Sequence, residues 1–404
     1  MTNINNKIWS VSFIFVTVAN ALVFMIFEML LPTLPLFVTE LGGGASQVGL
    51  VTGVFMLSAI LIRPFAGLLV TKFDKKLLLI FGILIIALST GAYYLSNTIS
   101  MLLVIRLIHG AGFGLATTYF ATLAAEIVPN ERRGEGIGYF GVGETVAISV
   151  GPMIGIMTLE FYDFQRLFFG GMAVLFLALI MAIFIKREPK EKKLDKQETV
   201  VVKFKLLEKR VLFPALLIFL IGIAAGGIMS FFSLYAIERG FTQVGLFFLL
   251  IAAASFIIRL LSGKLFDVYG PSIILIPGSI LSIIGLIILY VAGSDIMFFI
   301  AAIFYGFGFG AIFPAIQTWC MNLVEEHEHE DAMASFFNFF DLGIGGGSFI
   351  LGLIATLASY QAVYLVASIV YGVVLGIYVV YFVIKRQQQN KPINDQVDHQ
   401  GIYS

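Results

Sequence analysis

The sequence predicts an all-α integral membrane protein: twelve transmembrane helices in two six-helix bundles related by an internal repeat. Three observations carry this. Of the 404 residues, 59% are hydrophobic and 12% charged, with a mean hydropathy of +0.98. A soluble domain has about 25% charged residues, so a chain this apolar has lipid as its solvent. A spanning helix needs roughly 20 apolar residues, and such runs recur twelve times, at 8–37, 46–70, 76–97, 99–127, 135–159, 165–186, 211–237, 242–266, 272–293, 296–323, 332–358 and 361–384. Finally, the second half echoes the first at a fixed offset. Arg63 and Arg259 are 196 residues apart, as are Gly67 and Gly263, and Leu69 and Leu265. The stretch His109-Gly-Ala-Gly-Phe-Gly114 falls over Tyr305-Gly-Phe-Gly-Phe-Gly310, and Gly151 falls over Gly347.

Taken in order, the run from about Ile8 is too long for a signal-peptide core and lacks a clear small-residue cleavage site, so it reads as the first membrane helix. Turn and polar residues separate the later runs: Gly42-Gly-Gly-Ala-Ser, Lys72 to Lys76, Pro129-Asn-Glu-Arg-Arg, Gly293-Ser-Asp, and Glu325 to Asp331. Barrel strands are short and alternating, and these runs are neither. The stretch 187–210 is the one long polar connection, and it falls midway. It divides the chain into an N-terminal bundle (1–186), a cytoplasmic linker (187–210), a C-terminal bundle (211–386) and a disordered cytoplasmic tail (387–404). Within the linker, Val200-Val-Val with Phe204, Leu206 and Leu207 could lie on the inner leaflet as an amphipathic segment.

Lys and Arg set the orientation. With both termini cytoplasmic, the inner segments carry twenty of them and the outer loops only Arg166 and Arg239. The expected location is the cell membrane. A net charge of zero gives no reason to expect nucleic acid, and the single Cys320 excludes a disulfide within the chain. No G-x-x-x-x-G-K-[ST], H-E-x-x-H or G-x-S-x-G occurs, which argues against ATP-driven transport by this chain alone and against an intramembrane enzyme of those kinds. No cofactor and no metal are expected. The run Glu325-Glu-His-Glu-His-Glu-Asp331 looks like a metal cluster but reads as a solvated loop. A monomer in the lipid bilayer is expected, its partners a small-molecule substrate and protons.

An ionisable side chain near the bilayer centre costs about 2.5–3.5 kcal/mol. Glu28, Glu144 and Asp341 lie inside apolar runs, and Arg106 joins them. A lone one could be a structural hydrogen-bond partner; four together cost about 10–14 kcal/mol. A carboxyl group in a dry cavity holds its proton more tightly and can load it on one side and release it on the other. Pro32 and Pro35 follow Glu28, freeing carbonyls and allowing a bend just past the acid. His109 stands about one turn from Arg106 and reads either as a proton relay or as a packed, hydrogen-bonded histidine. Glu144 precedes Gly151-Pro152-Met-Ile-Gly155, where glycines let another helix approach. Asp341 opens the counterpart Asp341-Leu-Gly-Ile-Gly-Gly-Gly347.

These residues resemble the major facilitator superfamily, and within it the twelve-helix drug:proton antiporters, over roughly residues 8–386. The loop 2–3 signature G-x-L-x-D-x-x-G stands whole as Gly263-Lys-Leu-Phe-Asp267-Val-Tyr-Gly270. In the first half Gly67-Leu-Leu keeps its start, but Thr71 replaces the acid and Asp74 the last glycine. In the family the acid helps latch the cytoplasmic side. Here Asp74 could instead cap helix 3, with Asp267 supplying the charge from the other half. The helix 4 signature R-x-x-x-G-x-G matches Arg106, Gly110 and Gly112, and the resemblance links this Arg to proton coupling. The helix 5 signature G-x-x-x-G-P-x-x-G-G matches Gly151, Pro152 and Gly155, with Ala147 and Ile156 replacing its outer glycines. The resemblance implies alternating access by two bundles rocking about a central site.

The expectation is a proton-coupled exporter of a small apolar or amphipathic molecule. Glu28, Glu144 and Asp341 would be the proton- or cation-binding groups, with Arg106 tuning one of them. An uptake symporter for a polar nutrient, or a lipid-handling protein without proton coupling, remains the alternative.

Overall fold

The structure is a computed structural model that describes residues 8–70, 72–129, 132–186, 208–241, 243–325 and 328–389. Its helices are α1 (Val11–Glu40), α2 (Ala45–Leu69), α3 (Lys75–Ala92), α4 (Ile99–Ile127), α5 (Arg133–Phe161), α6 (Phe164–Phe184), α7 (Leu212–Glu238), α8 (Val244–Tyr269), α9 (Ser272–Val291), α10 (Asp295–Asn322), α11 (His329–Leu357) and α12 (Tyr360–Gln389). All twelve are long and apolar enough to cross a membrane, and the described residues contain no strand. With an even number of spans, both ends of the described chain lie at one face, here called the terminal face.

The packing repeats by halves. In the first six helices, α1 lies against α5 and α6, α4 against α2 and α3, and α3 against α6; α7 to α12 reproduce each pair. The glycines explain how. A Cβ added at Gly110 would stand 2.4 Å from the Phe55 carbonyl oxygen, and one at Gly306 2.8 Å from that of Ile251. At Gly114 it would meet the Ala59 oxygen at 2.3 Å, and at Gly310 the Ser255 Cα at 2.4 Å. Gly112 and Gly308 turn the other way, onto Gly82 of α3 and Gly278 of α9. Each contact partner, like each glycine, is displaced by the same 196 residues. In lipid, where apolar burial gives helices no reason to associate, such close backbone approach is what holds them together.

The halves meet through α2 on α11 and α5 on α8, with α1 touching α7. Toward the face opposite the termini the first contact is tight. A Cβ at Gly49 would lie 2.3 Å from the Ser348 carbonyl oxygen. Beside it runs a buried hydroxyl chain, Thr52 to Ser230 at 3.3 Å and Ser230 to Ser348 at 3.0 Å. At the same face the Gly245 N–H of α8 donates to the Glu160 carboxylate of α5 over 3.0 Å. A cavity of about 290 Å³ flanks that bond, lined by Met157, Phe161, Gln243 and Leu246.

Some ends differ from expectation. α1 runs through Pro32 and Pro35 to Glu40 and stops only where Gly42 takes a φ of 79°. Packing against neighbouring helices keeps both prolines inside it. The expected tail at 387–404 begins too early: α12 continues through Gln389, because Gln is a good helix former and Arg386 favours the negative end of the helix dipole. The linker expected at 187–210 ends within structure. Residues Lys209–Val211 form a 3₁₀ turn, and Glu208 is buried and bonded through its N–H to Ser335 Oγ at 2.9 Å. The rest of the linker, its amphipathic stretch and the tail beyond Gln389 lie outside the described residues.

Adjacent α11 glycines provide a test of this packing. Gly347 has no room for a Cβ, which would sit 2.4 Å from the Ile223 Cα, whereas Gly346 faces open space. We expect Gly347→Ala to destabilise by about 1–3 kcal/mol and Gly346→Ala to be neutral, measured by thermal unfolding in detergent micelles.

Candidate functional site

Each of the three acids lies on a helix that packs against the other half or against a helix that does, and none faces lipid: Glu28 is 5% exposed, Glu144 and Asp341 8% each. Glu28 sits mid-way along α1. Pro32, four residues on, has no N–H to offer the Glu28 carbonyl, which loses its helical partner; Thr33 Oγ1 donates to the neighbouring Met29 carbonyl over 2.9 Å. The helix 5 glycines form the seat for this segment. A Cβ at Gly151 would stand 2.7 Å from Glu28 Cβ and 2.8 Å from the Met25 oxygen, and one at Gly155 2.6 Å from the Met29 oxygen. Pro152 lies between them within the continuous α5. The motif therefore sets how deeply the acid-bearing turn of α1 settles against α5.

Two turns before Gly151, Glu144 meets Asn20 of α1, whose Nδ2 donates to Glu144 Oε1 over 3.0 Å. Asp341 of α11 pairs across the halves: Arg63 Nη2 of α2 donates to Asp341 Oδ2 over 2.7 Å, with both side chains nearly buried. Arg63 Nη1 also donates to Asn338 Oδ1, one turn earlier on α11. Asp341 lies within electrostatic reach of both Glu28 and Glu144, and Arg63 within reach of Glu144. The Arg63 guanidinium thus pairs with Asp341 and reaches Glu144, while Glu28 stands within reach of Asp341. The three carboxyl groups outnumber that one guanidinium, so ionising all three would leave the cluster negative.

Arg106 and His109 stand apart from this cluster, toward the opposite face. The Arg106 guanidinium lies 4.1 Å over the Phe55 ring, its Nε donates to the Val51 carbonyl at 3.3 Å, and Nη1 makes a long 3.4 Å bond to Tyr93. The Tyr93 hydroxyl is 2.6 Å from His109 Nδ1, and His109 Nε2 is buried without a partner. Among the described residues no carboxylate bonds Arg106. A ring face and a carbonyl, rather than an anion, compensate the buried cation.

The remaining motif residues are distributed toward the terminal face. Asp74 caps α3, accepting from the Lys76 and Leu77 N–H groups at 2.8 and 3.2 Å. Gly67 falls within α2. Arg259 Nε donates to the Gly310 carbonyl at 3.4 Å, Gly263 faces open space, Asp267 is exposed, and Gly270 ends α8 with a φ of 75°. Of the acidic run, Glu328 pairs with Arg210, and no group of three metal-ligating side chains occurs among the described residues. Cys320 is buried and free. The sequence reading missed Asn20, Asn338 and Tyr93. The rule that singled out the acids, a polar group inside an apolar run, would have found all three.

The bridge predicts a stability cycle. Asp341→Asn leaves Arg63 uncompensated and should cost about 3–5 kcal/mol. Joint replacement by Arg63→Leu and Asp341→Leu should cost less than the two single changes summed, as read from thermal unfolding of the purified protein.

The chain's sequence matches the profile of the Major Facilitator Superfamily over residues 16–347 and 242–402. Among characterised proteins it is similar to the quinolone resistance protein NorA of Staphylococcus aureus (strain COL), 26% identical over 323 residues, covering 76% of this chain and 80% of NorA. It is likewise similar to the multi-drug resistance efflux pump PmrA of Streptococcus pneumoniae, 28% identical over 357 residues, covering 85% and 88%. Among solved structures, the nucleoside transporter NupG superposes with a TM-score of 0.72 at 13% identity, over 92% of this chain and all of that one. A bacterial homologue of the lysosomal transporter Spinster, inward-facing and unoccupied, gives 0.71 at 14%, over 91% and 94%. The repeat, the twelve spans and these likenesses agree: the chain belongs to the Major Facilitator Superfamily and is a membrane transporter, not an enzyme.

Proposed function

We propose that the chain is a proton-coupled exporter that moves a small apolar or amphipathic molecule out of the cell by alternating access. The observation that carries this reading is the grouping of Glu28 and Glu144 around Asp341, whose own partner, Arg63, comes from the other half. Glu28, Glu144 and Asp341 are the proton carriers. When Asp341 takes a proton it stops attracting Arg63 as an ion, and the α2–α11 contact loosens. When it loses the proton, the bridge re-forms. A cationic or amphipathic substrate competes for the same surplus negative charge, and this competition is the physical content of antiport. Arg106 and His109, tied to Tyr93 and Phe55, hold the aromatic packing of the first bundle apart from the carboxyl cluster. The resistance and efflux roles named for NorA and PmrA support export over uptake.

The protein sits in the cell membrane as a monomer with cytoplasmic termini, since the terminal face carries the excess of Lys and Arg. Its functional units are the two bundles, 1–186 and 211–386, joined by a cytoplasmic linker.

Everted vesicles energised to an acidic interior should release protons when a cationic dye is added. Uptake symport predicts accumulation of substrate by intact cells instead. Glu28→Gln and Asp341→Asn should each lower proton-coupled dye export by about tenfold or more, the effect of losing a proton-transfer group. Parental export by both variants would remove these residues from the mechanism.

A further inference from the structure

We infer that Asn20 is the positioning residue for the proton on Glu144, a partner that serves the carboxylate and the carboxylic acid alike. The inference rests on Glu144 carrying a coupling proton, as proposed above. Asn20 is fully buried on the α5-facing side of α1. Its Nδ2 donates to Glu144 Oε1, while its Oδ1 is buried with no donor. Thr17, one turn back on the same helix face, holds a second buried oxygen without a partner.

A structural asparagine in lipid satisfies both ends of its amide, because an orphaned acceptor there is costly. Here one end is satisfied and the other waits. The side-chain torsion of Asn is two-fold, so a half-turn exchanges Oδ1 and Nδ2. With Glu144 ionised, the amide N–H donates to the carboxylate. With Glu144 protonated, the turned amide presents Oδ1 and accepts the new O–H. No bond other than the carboxyl O–H forms or breaks, and the proton stays on Glu144. Leucine could serve neither state, and a second acid would compete for the proton. Gly143 lets α1 lie close enough for this contact, since a Cβ there would be 3.1 Å from that of Ala21.

Other charges around Glu144 are accounted for. Asp341 of α11 and Arg63 of α2 act on it. The acids of α1 are Glu28 and, at its far end, Glu40. From α8 the mid-helix cation is Arg259, tied to Gly310. From α4, Arg106 is held over Phe55 and Glu126 is paired with Lys75. α6 offers only Arg166, at the opposite face and paired with Asp163. Of these groups none is hydrogen-bonded to Glu144, whereas Asn20 is.

The test is an infrared pH titration of the full-length protein in detergent, following the protonated-carboxyl band that Glu144→Gln removes. In Asn20→Leu the midpoint of that band should move up by about one pH unit, because the bond lost to the charged carboxylate is stronger than the one lost to the neutral acid. Asn20→Ser, which is smaller and cannot overpack, should also shift upward but less, and Asn20→Gln should restore the parental midpoint most nearly. Midpoints that stay parental in both the Leu and Ser variants overturn the inference, as does a Glu144→Gln spectrum that loses no titrating band. Dye export measured in parallel separates the readings. A shifted midpoint without proton-linked export upholds the Asn20–Glu144 pairing and sinks the exporter. Proton-linked export with an unmoved midpoint does the reverse.

Discussion

Backbone-to-backbone contact at glycine is the constraint on which the rest of this molecule depends. Lipid tails are as apolar as leucine, so these helices gain little by hiding side chains from their surroundings. What remains is dispersion between surfaces that can come very near each other. Glycines supply those surfaces inside each half, along the seam between α2 and α11, and where α5 receives α1. The same packing that gives the protein its shape also sets the depth of the turn that holds Glu28. Shape and site therefore share one cause, and a methyl group in the wrong place disturbs both.

The two deeply placed arginines show two ways of keeping a cation out of water. Arg63 is neutralised by an acid from the other half, so its environment depends on how the halves sit relative to one another. Arg106 is held within its own half by an aromatic face, a carbonyl and a tyrosine hydroxyl, none of which ionises readily. The first is suited to change during a cycle and the second to stay as it is. The carboxyl groups divide likewise: Asp341 meets its partner across the seam, while Glu144 meets Asn20 inside one half.

Much of this was legible in the sequence, for physical reasons. Twelve spans announce themselves because lipid demands long apolar runs, and the repeat is visible because glycines at contact points keep their spacing. The acids stood out because burying them is expensive, and Asp74 as a cap because it directly precedes its helix. Helix ends were less legible. The apolar run through Pro32 and Pro35 suggests an end near residue 37, yet α1 continues to Glu40. Partnerships were hidden for a different reason: Arg63 and Asp341 are 278 residues apart and Asn20 and Glu144 124 apart. Helical periodicity says nothing about which faces meet over such distances. Arg106 adjoins the glycine motif in sequence, which suggested a role beside an acid, but the Phe55 ring occupies that place.

The bond between Glu160 and Gly245 has a consequence for how the protein rests. α8 has no cap of its own, since Gln243 makes no capping bond, and it borrows a carboxylate from the other half for its first turn. Separating the halves at that face uncaps a helix at the moment it meets bulk water. One exposed acid thus adds to the glycine contact and the hydroxyl chain that already join the halves on that side. Opening there therefore exchanges a bond between the halves for one to water, at a single turn of a single helix.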